Sequence, residues 1–378
     1  MKILMINPWI GSLAEYTHGL CKGFAKSKID IDLITNYHES RTTSDEYSVY
    51  PLFFKYSETM KRGKLRKIIR TIEYIYVYFQ IYTMICKNKY DIVHIQWCLL
   101  YKFDSVAIGL IRKKVKKIVY TAHNALPHVN GEKYITDLEK MYNKFDVIIV
   151  HGKSIREEFE YYFPKYSDKI CIQYHGCRLN ENNNVSKEKI PKEILNKLKD
   201  REKIYIFFGG IFYNKGVDIL MKIWRKDFED SKNLLVVAGR ITERYGELDY
   251  ELNNRNENVL LIEGYLDDEV LNYLVDTSNI VILPYRHASM SGVVFTAAQH
   301  RKTIIATNTG SITEYLENGR DSFVIENNEE ELRETLLMIE NDMSVEELIE
   351  MGKLLHNNIN SKYNWEIIAK NLIKEVLV

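Results

Sequence analysis

Short apolar runs alternate with helical patterns along almost the whole chain, and this alternation constrains the possible fold more than any other feature. In the first half, candidate strands occupy positions 2–7, 30–35, 91–96, 117–122, 146–151 and 169–174, and several of them, such as DVIIVHG and KIVYTAH, contain continuous apolar runs. Runs without polar interruptions are typical of strands that are buried on both faces of a parallel sheet. The first half is therefore predicted to be an α/β domain with a parallel sheet.

The alternation stops once and then restarts. Residues 181–193 are polar, lack an apolar face and contain Pro191, as expected of a linker. A second series of strand-like runs follows: IYIFFGG, NLLVVAG, NVLLIEG, NIVILPY, KTIIAT and DSFVI. Two such series predict two doubly wound, Rossmann-like domains facing a central cleft. We place the N-terminal domain at 1–180, the linker at 181–195, the C-terminal domain at 196–362 and a final helix at 363–378.

The composition narrows the classes of function and the compartment. The 52 Lys and Arg residues balance the 52 Asp and Glu residues, so we expect no nucleic-acid partner. The five cysteines are scattered and include no Cys-x-x-Cys pair, which argues against a zinc site or a disulfide framework. The N-terminus is typical of a strand and turn, and no run of eighteen apolar residues occurs. We therefore expect a cytoplasmic protein.

The segment 61–85 begins with clustered lysines and arginines and continues with tyrosines, Phe79 and aliphatic residues. A cationic start next to an aromatic body suits contact with an anionic membrane surface. The equally weighted alternative is a helix packed on the sheet with a solvated basic end. With membrane contact, the protein would lie at the inner face of the plasma membrane.

Ligands of doubly wound sheets bind in the loops that follow the carboxyl ends of the strands. Gly11 follows the first strand, where a glycine lets backbone N–H groups approach an anion, although a plain tight turn is an equal alternative. His123, Asn124 and His128 follow the run at 117–122. A histidine there can bind hydroxyl or phosphate groups or transfer a proton. The alternative is a purely structural histidine that caps the loop.

Three loops of the second half carry similar signals. Gly209 and Gly210 end a strand, and Lys215 stands at the start of the next helix, a credible position for a diphosphate clamp or for an exposed first-turn lysine. Small residues around Ser291 and Gly292 precede another helix, whose N–H groups could bind an anion. The run KTIIAT is followed by NTGS, which predicts a second helix N-terminus beside the first.

In combination, these segments resemble the GT-B-fold glycosyltransferases of family 4, which are retaining enzymes. The resemblance is carried by KG at 215–216, VVAGR, EGYLDDEVLNYL, NIVILPYR, SMSGVV, IIATNTGSITEYLENG, HNALPH and the W-E-x-I-A of the last helix. It implies a nucleotide-sugar donor in the C-terminal domain, an acceptor in the N-terminal domain, and neither a metal nor another cofactor. It also implies that the last helix returns to the N-terminal domain.

Carried over to this chain, the resemblance implies catalytic roles for His123 and Lys215. Donor contacts are implied for Gly11, Gly210, Lys215, Gly239, Tyr265, Leu266, Ser291, Gly292, Val293 and Thr296. Within this set, Lys215 would contact the diphosphate, the backbone at 291–293 would support the phosphates, and 265–266 would line the base pocket. On the acceptor side, the implied residues are His123, Asn124 and His128.

The chain departs from the family pattern at three positions. Two glutamates eight positions apart are usual around the phosphate loop, but Ala288 and Thr296 occupy these positions here. The arginine that usually accompanies the lysine is also missing, which leaves Lys215 as a point charge without a bidentate partner. Arg286 and Arg240 are candidates to replace it.

The sequence therefore favours a retaining hexosyltransferase that uses a UDP- or GDP-sugar. The expected acceptor is a glycan, lipid-linked, in surface polysaccharide synthesis of the bacterial type. A non-catalytic glycan-binding or stabilising partner of another transferase is the main alternative, because charged donor contacts are missing. A nucleotide-sugar epimerase is disfavoured by the acid-poor phosphate loop.

Overall fold

The computed structural model describes residues 1–127, 131–177, 179, 187–288 and 290–377. The chain forms two compact units. The N-terminal unit comprises Met1–Arg178 and Lys362–Val378, and the C-terminal unit comprises Leu179–Ser361. Each unit is described separately below. No described helix is both long enough and apolar enough to cross a membrane.

A seven-stranded parallel sheet forms the centre of the N-terminal unit. Its strands are β1 (Lys2–Ile6), β2 (Asp30–Asn36), β3 (Ser48–Phe53), β4 (Ile92–Ile95), β5 (Lys117–Thr121), β6 (Val147–Val150) and β7 (Ile170–Ile172). They lie in the order β3-β2-β1-β4-β5-β6-β7, and Ile3 of β1 is opposite both Ile31 and Ile92. The strand order reverses between β1 and β4, so the loops after these two strands border the expected ligand crevice.

Helices connect the strands of this sheet. They are α1 (Ser12–Lys26), α2 (Lys64–Lys87), α3 (Tyr101–Ile111), α4 (Ile135–Tyr142) and α5 (Lys153–Tyr162). The sequence SIRE at 154–157 has the spacing of a capping box, but α5 begins at Lys153 directly after Gly152, so Ser154 is not the N-cap residue. The buried face of α2 packs Tyr74, Val77, Tyr78 and Ile81 into the core.

The C-terminal unit is built on a six-stranded parallel sheet. Its strands are β8 (Ile204–Phe208), β9 (Leu234–Gly239), β10 (Val259–Glu263), β11 (Ile280–Leu283), β12 (Thr303–Thr307) and β13 (Ser322–Ile325), in the order β10-β9-β8-β11-β12-β13. Its helices are α6 (Lys192–Leu198), α7 (Val217–Asp227), α8 (Gly246–Asn253), α9 (Asp268–Thr277), α10 (Val293–Gln299), α11 (Glu329–Asp342) and α12 (Val345–Tyr363). The order reverses between β8 and β11. The predicted α/β class with two doubly wound sheets is thus confirmed.

The final helix, α13 (Trp365–Leu372), packs on α1 through glycines. The Asn364 side chain accepts hydrogen bonds from the first turn of α13. A Cβ atom on Gly19 would lie 2.1 Å from the Trp365 ring, and one on Gly23 would lie 2.2 Å from the Trp365 carbonyl oxygen. The two glycines of α1 therefore make room for Trp365, and any side chain there would force the helices apart.

One helix expected from the sequence is absent. Residues 308–311 do not open a helix, and the chain instead makes a three-residue 3-10 turn at Thr313–Tyr315. Gly310 has a φ of 57°, a left-handed conformation that interrupts helical geometry directly after β12. The prediction of two adjacent helix N-termini at this edge of the sheet is therefore wrong.

Candidate functional site

In the C-terminal unit, the loops after β8 and β9 approach so closely that only glycine fits. Gly239 has a φ of 155°, and a Cβ atom there would lie 1.8 Å from the Gly209 carbonyl oxygen. The Gly209 N–H donates to the Ala238 carbonyl at 3.0 Å. Gly210 is less constrained, because its Cβ atom would meet only the Phe212 ring, at 3.4 Å. The close contact with Gly209 thus requires a glycine at position 239. At position 210 the neighbouring atoms would allow a small side chain.

Lys215 lies beside these glycines, at the point where the strand order reverses. It ends a short 3-10 turn, and the next residue, Gly216, has a φ of 63° and would place a Cβ atom 1.9 Å from the Pro284 carbonyl oxygen. The Lys215 Nζ stands 3.5 Å from the centroid of the Tyr285 ring. Burial lowers the pKa of Lys215 to about 8. Among the described residues, no carboxylate lies within ion-pair distance of this ammonium group.

The two arginines that could replace the missing family arginine differ in availability. Arg286 forms a bidentate ion pair with Asp218 at 2.8 and 2.6 Å, and the Tyr245 hydroxyl donates to the same carboxylate at 2.7 Å. This hydrogen bonding raises the pKa of Arg286 and commits its guanidinium group. Arg240 directly follows Gly239 and is exposed, and no described side chain pairs with it. Arg240 is therefore the arginine that remains available near Lys215.

The phosphate loop predicted around Ser291 is linked to Lys215 through Tyr285. The Tyr285 hydroxyl lies 3.3 Å from the Ser291 Oγ, which also accepts the Val293 N–H at 3.4 Å. Gly292 is exposed, so the backbone is open to solvent just before α10. The Thr296 hydroxyl donates to the Gly292 carbonyl at 3.5 Å and so faces its own helix.

The predicted base pocket consists of residues that follow β10. Tyr265 is 93% exposed, and Leu266 is half-buried behind Gly264, which has a φ of 127°. Glu263 is held by Arg244 at 3.3 Å. An exposed tyrosine ring next to a partly buried leucine can stack on a planar group, and their role in base binding stays a prediction.

In the N-terminal unit, three histidines converge at the carboxyl ends of the strands. His123 follows β5, His151 follows β6 and His175 lies beyond β7. The His151 Nδ1 lies 2.9 Å from the Gln173 carbonyl oxygen, so this nitrogen carries the proton and donates. The His151 Nε2 must then accept from the His123 Nδ1, at 3.3 Å. His123 is thereby fixed with an unprotonated Nε2 that has no partner among the described residues.

Burial keeps this cluster neutral. It lowers the pKa of His151 to about 4 and of His175 to about 3, and it lowers the pKa of His123 well below its usual value. His123 stacks on Trp97 with ring centroids 4.4 Å apart, and Tyr16 packs edge-on to His123 at 5.4 Å. His123 is thus held as a neutral hydrogen-bond acceptor, which suits a sugar hydroxyl better than a phosphate.

Sequence reasoning gave no role to His151, Trp97 or Tyr16. His151 directly follows β6 and Trp97 lies two residues after β4, so their position at the end of a predicted strand was an available signal. Tyr16 lies inside α1, and only the fold reveals its contact with the histidines. Asn124 is half-buried next to His123, and His128 lies outside the described residues.

Gly11 ends the β1–α1 connection as the residue before α1, with a φ of 64°, and a Cβ atom there would contact nothing within 4 Å. Its N–H group, however, donates to the Glu39 Oε2 at 2.9 Å. Glu39 is almost completely buried and also lies near Arg41. A donor phosphate that used the Gly11 N–H would have to displace this carboxylate.

Among the described residues, no group of three or more His, Cys, Asp or Glu side chains is arranged to hold a metal ion. Catalysis without a metal or other cofactor stays a prediction.

Comparison with known families gives matches in both halves of the chain. Residues 13–181 match the model described as Glycosyltransferase Family 4, and residues 202–342 match the model described as Glycosyl transferases group 1. The uncharacterized glycosyltransferase MJ1607 of Methanocaldococcus jannaschii is 23% identical over 99% of this chain and 97% of that protein. An uncharacterized 41.2 kDa protein in the cps region of Klebsiella pneumoniae is also 23% identical, over 63% of this chain and 66% of that protein.

Solved structures with the same fold include sucrose-phosphate synthase from Thermosynechococcus elongatus, with a TM-score of 0.70 at 15% identity over 99% of this chain and 98% of that chain. Anabaena Alr3699/HepE in complex with UDP has a TM-score of 0.69 at 14% identity, and the full lengths of both chains are covered. At these identities the likeness shows the fold, while the two family matches give the enzyme class. The chain therefore belongs to the group 1, family 4 glycosyltransferases and has their GT-B fold, with two Rossmann-like domains.

Proposed function

We propose that this glycosyltransferase moves a hexose from a UDP- or GDP-linked donor to a lipid-linked glycan, with retention of configuration, in surface polysaccharide synthesis of the bacterial type. The observation that carries the proposal is the environment of Lys215. This lysine is partly desolvated, lies over an aromatic ring and lacks a described counter-ion. A cation left in this state is expected to bind an anion. The loop before α10, where Gly292 is exposed, is linked to it through Tyr285.

Lys215 contributes most when the donor bond breaks. The bond between the sugar and the diphosphate breaks as the acceptor hydroxyl oxygen forms a bond to the same carbon, and the acceptor proton passes to the departing phosphate oxygen. Negative charge accumulates on the diphosphate during this step, so a cation placed beforehand stabilises the transition state more than the ground state. With a pKa of about 8, Lys215 is mostly protonated at neutral pH.

His123 is assigned to the sugar. Its Nε2 is an acceptor because its Nδ1 proton is committed to His151. A neutral acceptor can receive a hydrogen bond from a sugar hydroxyl and orient the ring without neutralising the developing charge.

A nucleotide diphosphate as the leaving group is supported by the Anabaena Alr3699/HepE structures in complex with UDP, with UDP and glucose, and with UDP-glucose. A thermal-shift screen with UDP, GDP and ADP tests this directly. One nucleotide should raise the melting temperature at millimolar concentration. Lys215→Ala should remove the shift, whereas the matched control Lys226→Ala, an exposed lysine on α7, should retain it. If no nucleotide diphosphate bound by calorimetry, the transferase assignment would be rejected.

Membrane contact through α2 is supported by the outer face of this helix. Leu65, Ile68, Ile72, Tyr76 and Phe79 are 57–65% exposed and form one apolar stripe, which we call the α2 stripe. Exposed basic residues lie at and just before the start of α2: Lys61, Arg62, Lys64 and Lys67. An apolar stripe with a cationic end suits an anionic lipid surface.

The membrane test uses vesicles with and without anionic lipid. Lys64→Glu with Lys67→Glu should abolish co-sedimentation with anionic vesicles, because each cation contributes about 1 kcal/mol of attraction near such a surface. A matched control, Lys113→Glu with Lys114→Glu after α3, should bind as the wild type does. Equal binding of all three proteins would reject this part of the proposal.

The second candidate function is a non-catalytic glycan-binding or stabilising partner of another transferase. It is favoured by the Gly11 N–H, which already donates to Glu39, and by Arg286, which is committed to Asp218. It predicts binding of an oligosaccharide without binding of any nucleotide diphosphate. The nucleotide screen described above separates the two functions.

A further inference from the structure

The N-terminal unit contains a cavity of about 340 Å³ beside α2. Its apolar wall is formed by Trp9, Phe54, Tyr74, Leu99 and Leu100, and α2 adds Lys67, Arg70 and Thr71. Trp9 follows β1 and Leu99 follows β4, the two strands between which the strand order reverses. The cavity thus lies where a doubly wound sheet binds ligands, and its volume is within the range of about 300–1,000 Å³ that is usual for small-molecule pockets.

The charge of the cavity favours an occupant with an anionic end. The Arg70 guanidinium lies 3.6 Å from the centroid of the Phe54 ring, and it donates to Glu58 at 2.6 Å. Glu58 also accepts from the Arg66 guanidinium at 3.2 Å, so two arginines share one carboxylate and Arg70 is only partly neutralised in the cavity wall. Lys67 is exposed at the rim, and no described carboxylate pairs with it. The rim thus keeps uncompensated positive charge next to an otherwise apolar interior.

The cavity and the α2 stripe lie on different faces of α2. Lys67 and Thr71 line the cavity, and their neighbours Ile68 and Ile72 are 57% and 61% exposed. Ile68 and Ile72 are therefore outside the cavity, on the solvent side of α2.

The opposite wall of the cavity leads to His123. The rings of Trp9 and Trp97 meet edge to face at 6.3 Å, and Trp97 stacks on His123 at 4.4 Å. Three aromatic rings thus connect the cavity with the unprotonated His123 Nε2. A ligand held in the cavity can extend along these rings towards the nitrogen assigned to the sugar.

We propose that this cavity binds the lipid-proximal part of the acceptor, a lipid phosphate, with its phosphate at Lys67 and the first part of its hydrocarbon chain against Trp9 and Leu100. The inference rests on the proposed function and adds the class of lipid carrier. The apolar interior accounts for the hydrocarbon, the unpaired Lys67 for the phosphate, and the row of rings for the direction of the attached glycan. A free phosphate would use only the rim, and a neutral lipid would leave Lys67 unpaired.

The test is a calorimetric titration of the full chain with farnesyl phosphate, inorganic phosphate and farnesol, without vesicles. Farnesyl phosphate should bind at least tenfold more tightly than either of the others. Equal affinity for inorganic phosphate would show that only the cation matters and would overturn the proposal. Equal affinity for farnesol would overturn the role of Lys67.

Two pairs of variants locate the binding. Thr71→Trp fills the cavity and should reduce farnesyl phosphate affinity at least tenfold, whereas Ile72→Trp, on the exposed side of α2, should retain it. Lys67→Ala should reduce the affinity, whereas Lys64→Ala, which does not line the cavity, should retain it. Binding that survives Thr71→Trp would place the ligand elsewhere and overturn the proposal.

Nucleotide titrations of the same proteins separate this inference from the proposed function. Thr71→Trp should bind the nucleotide found in the thermal-shift screen with wild-type affinity, which also reports on folding. If the wild type binds farnesyl phosphate in the cavity but no nucleotide, the proposed function fails alone. If it binds the nucleotide but not farnesyl phosphate, the cavity proposal fails alone.

Discussion

Replacing Lys215 with methionine should make the protein more stable and weaken donor binding. A pKa lowered from 10.5 to about 8 means that the fold disfavours the ammonium form by roughly 3 kcal/mol. The variant also loses the interaction with the Tyr285 ring, at 3.5 Å, which reduces the gain in stability by about 1–2 kcal/mol. Desolvation is the larger effect, so Lys215→Met should raise the free energy of unfolding by roughly 1–2 kcal/mol at pH 7.

The effect on the donor has the opposite sign. A hydrogen bond to a charged group contributes about 1.5–3 kcal/mol, so the variant should bind the nucleotide roughly 10- to 100-fold more weakly. Urea titration measures the stability, and calorimetry measures the affinity. The control Lys226→Met, at an exposed position of α7, should change neither quantity by more than about 0.5 kcal/mol.

The pH dependence gives the stability result a distinct signature. Between pH 8 and 10.5 the unfolded chain binds a proton at Lys215 that the folded chain has lost, so the stability of the wild type rises with pH in this range. The advantage of Lys215→Met should therefore be full below pH 8 and shrink above it. A variant that is less stable than the wild type at pH 7 and binds the nucleotide normally would refute the reasoning, because Lys215 would then act only through Tyr285.

Three further predictions concern the backbone and the histidines. Gly216→Ala should destabilise the C-terminal unit by more than about 2 kcal/mol, because its Cβ atom would lie 1.9 Å from a carbonyl oxygen; Gly246→Ala, with open space around it, is the control in urea titrations. His151→Phe should lower kcat about tenfold and leave nucleotide affinity unchanged, because it removes only the acceptor that orients His123; an unchanged kcat would contradict the fixed tautomer. Acid titration followed by circular dichroism should show stability falling as the pH drops from 6.5 towards 4, because the unfolded chain takes up protons that the fold excludes from His94, His151 and His175; a flat profile would contradict this.

The sequence predicted every strand of the two described sheets except β3. β5 and β6 are apolar at consecutive positions, and both were predicted within one or two residues. β3 lies at the edge of its sheet, contains Pro51 and alternates in exposure. An edge strand can accept proline because one side of its backbone makes no ladder bonds, and its half-exposed pattern resembles a loop in the sequence.

Site residues whose role depends on a single loop could be predicted from the sequence. Contacts between residues far apart in the sequence could not. Lys215 was found because glycines flank it in the sequence, and the structure places it where the strand order reverses. The commitment of Arg286 to Asp218 joins residues 68 positions apart, and that of Gly11 to Glu39 joins residues 28 positions apart. No local pattern marks either pair, because packing between separate βα units creates both.

The family arginine is missing, but the partial dehydration of Lys215 strengthens the attraction of this lysine for an anion and so compensates for part of the loss. Two unit charges about 4 Å apart attract by roughly 1 kcal/mol in bulk water and by about 4 kcal/mol at the effective dielectric near a protein surface. The lowered pKa of Lys215 shows that it is on the dehydrated side of this range, and its attraction for a diphosphate is strengthened accordingly. The cost of dehydrating the ammonium is met during folding, before the donor arrives, so the full attraction is available at binding. The number of basic residues in the loops therefore underestimates the strength of this anion site, and Arg240, exposed to water, should add less than Lys215 despite carrying the same charge.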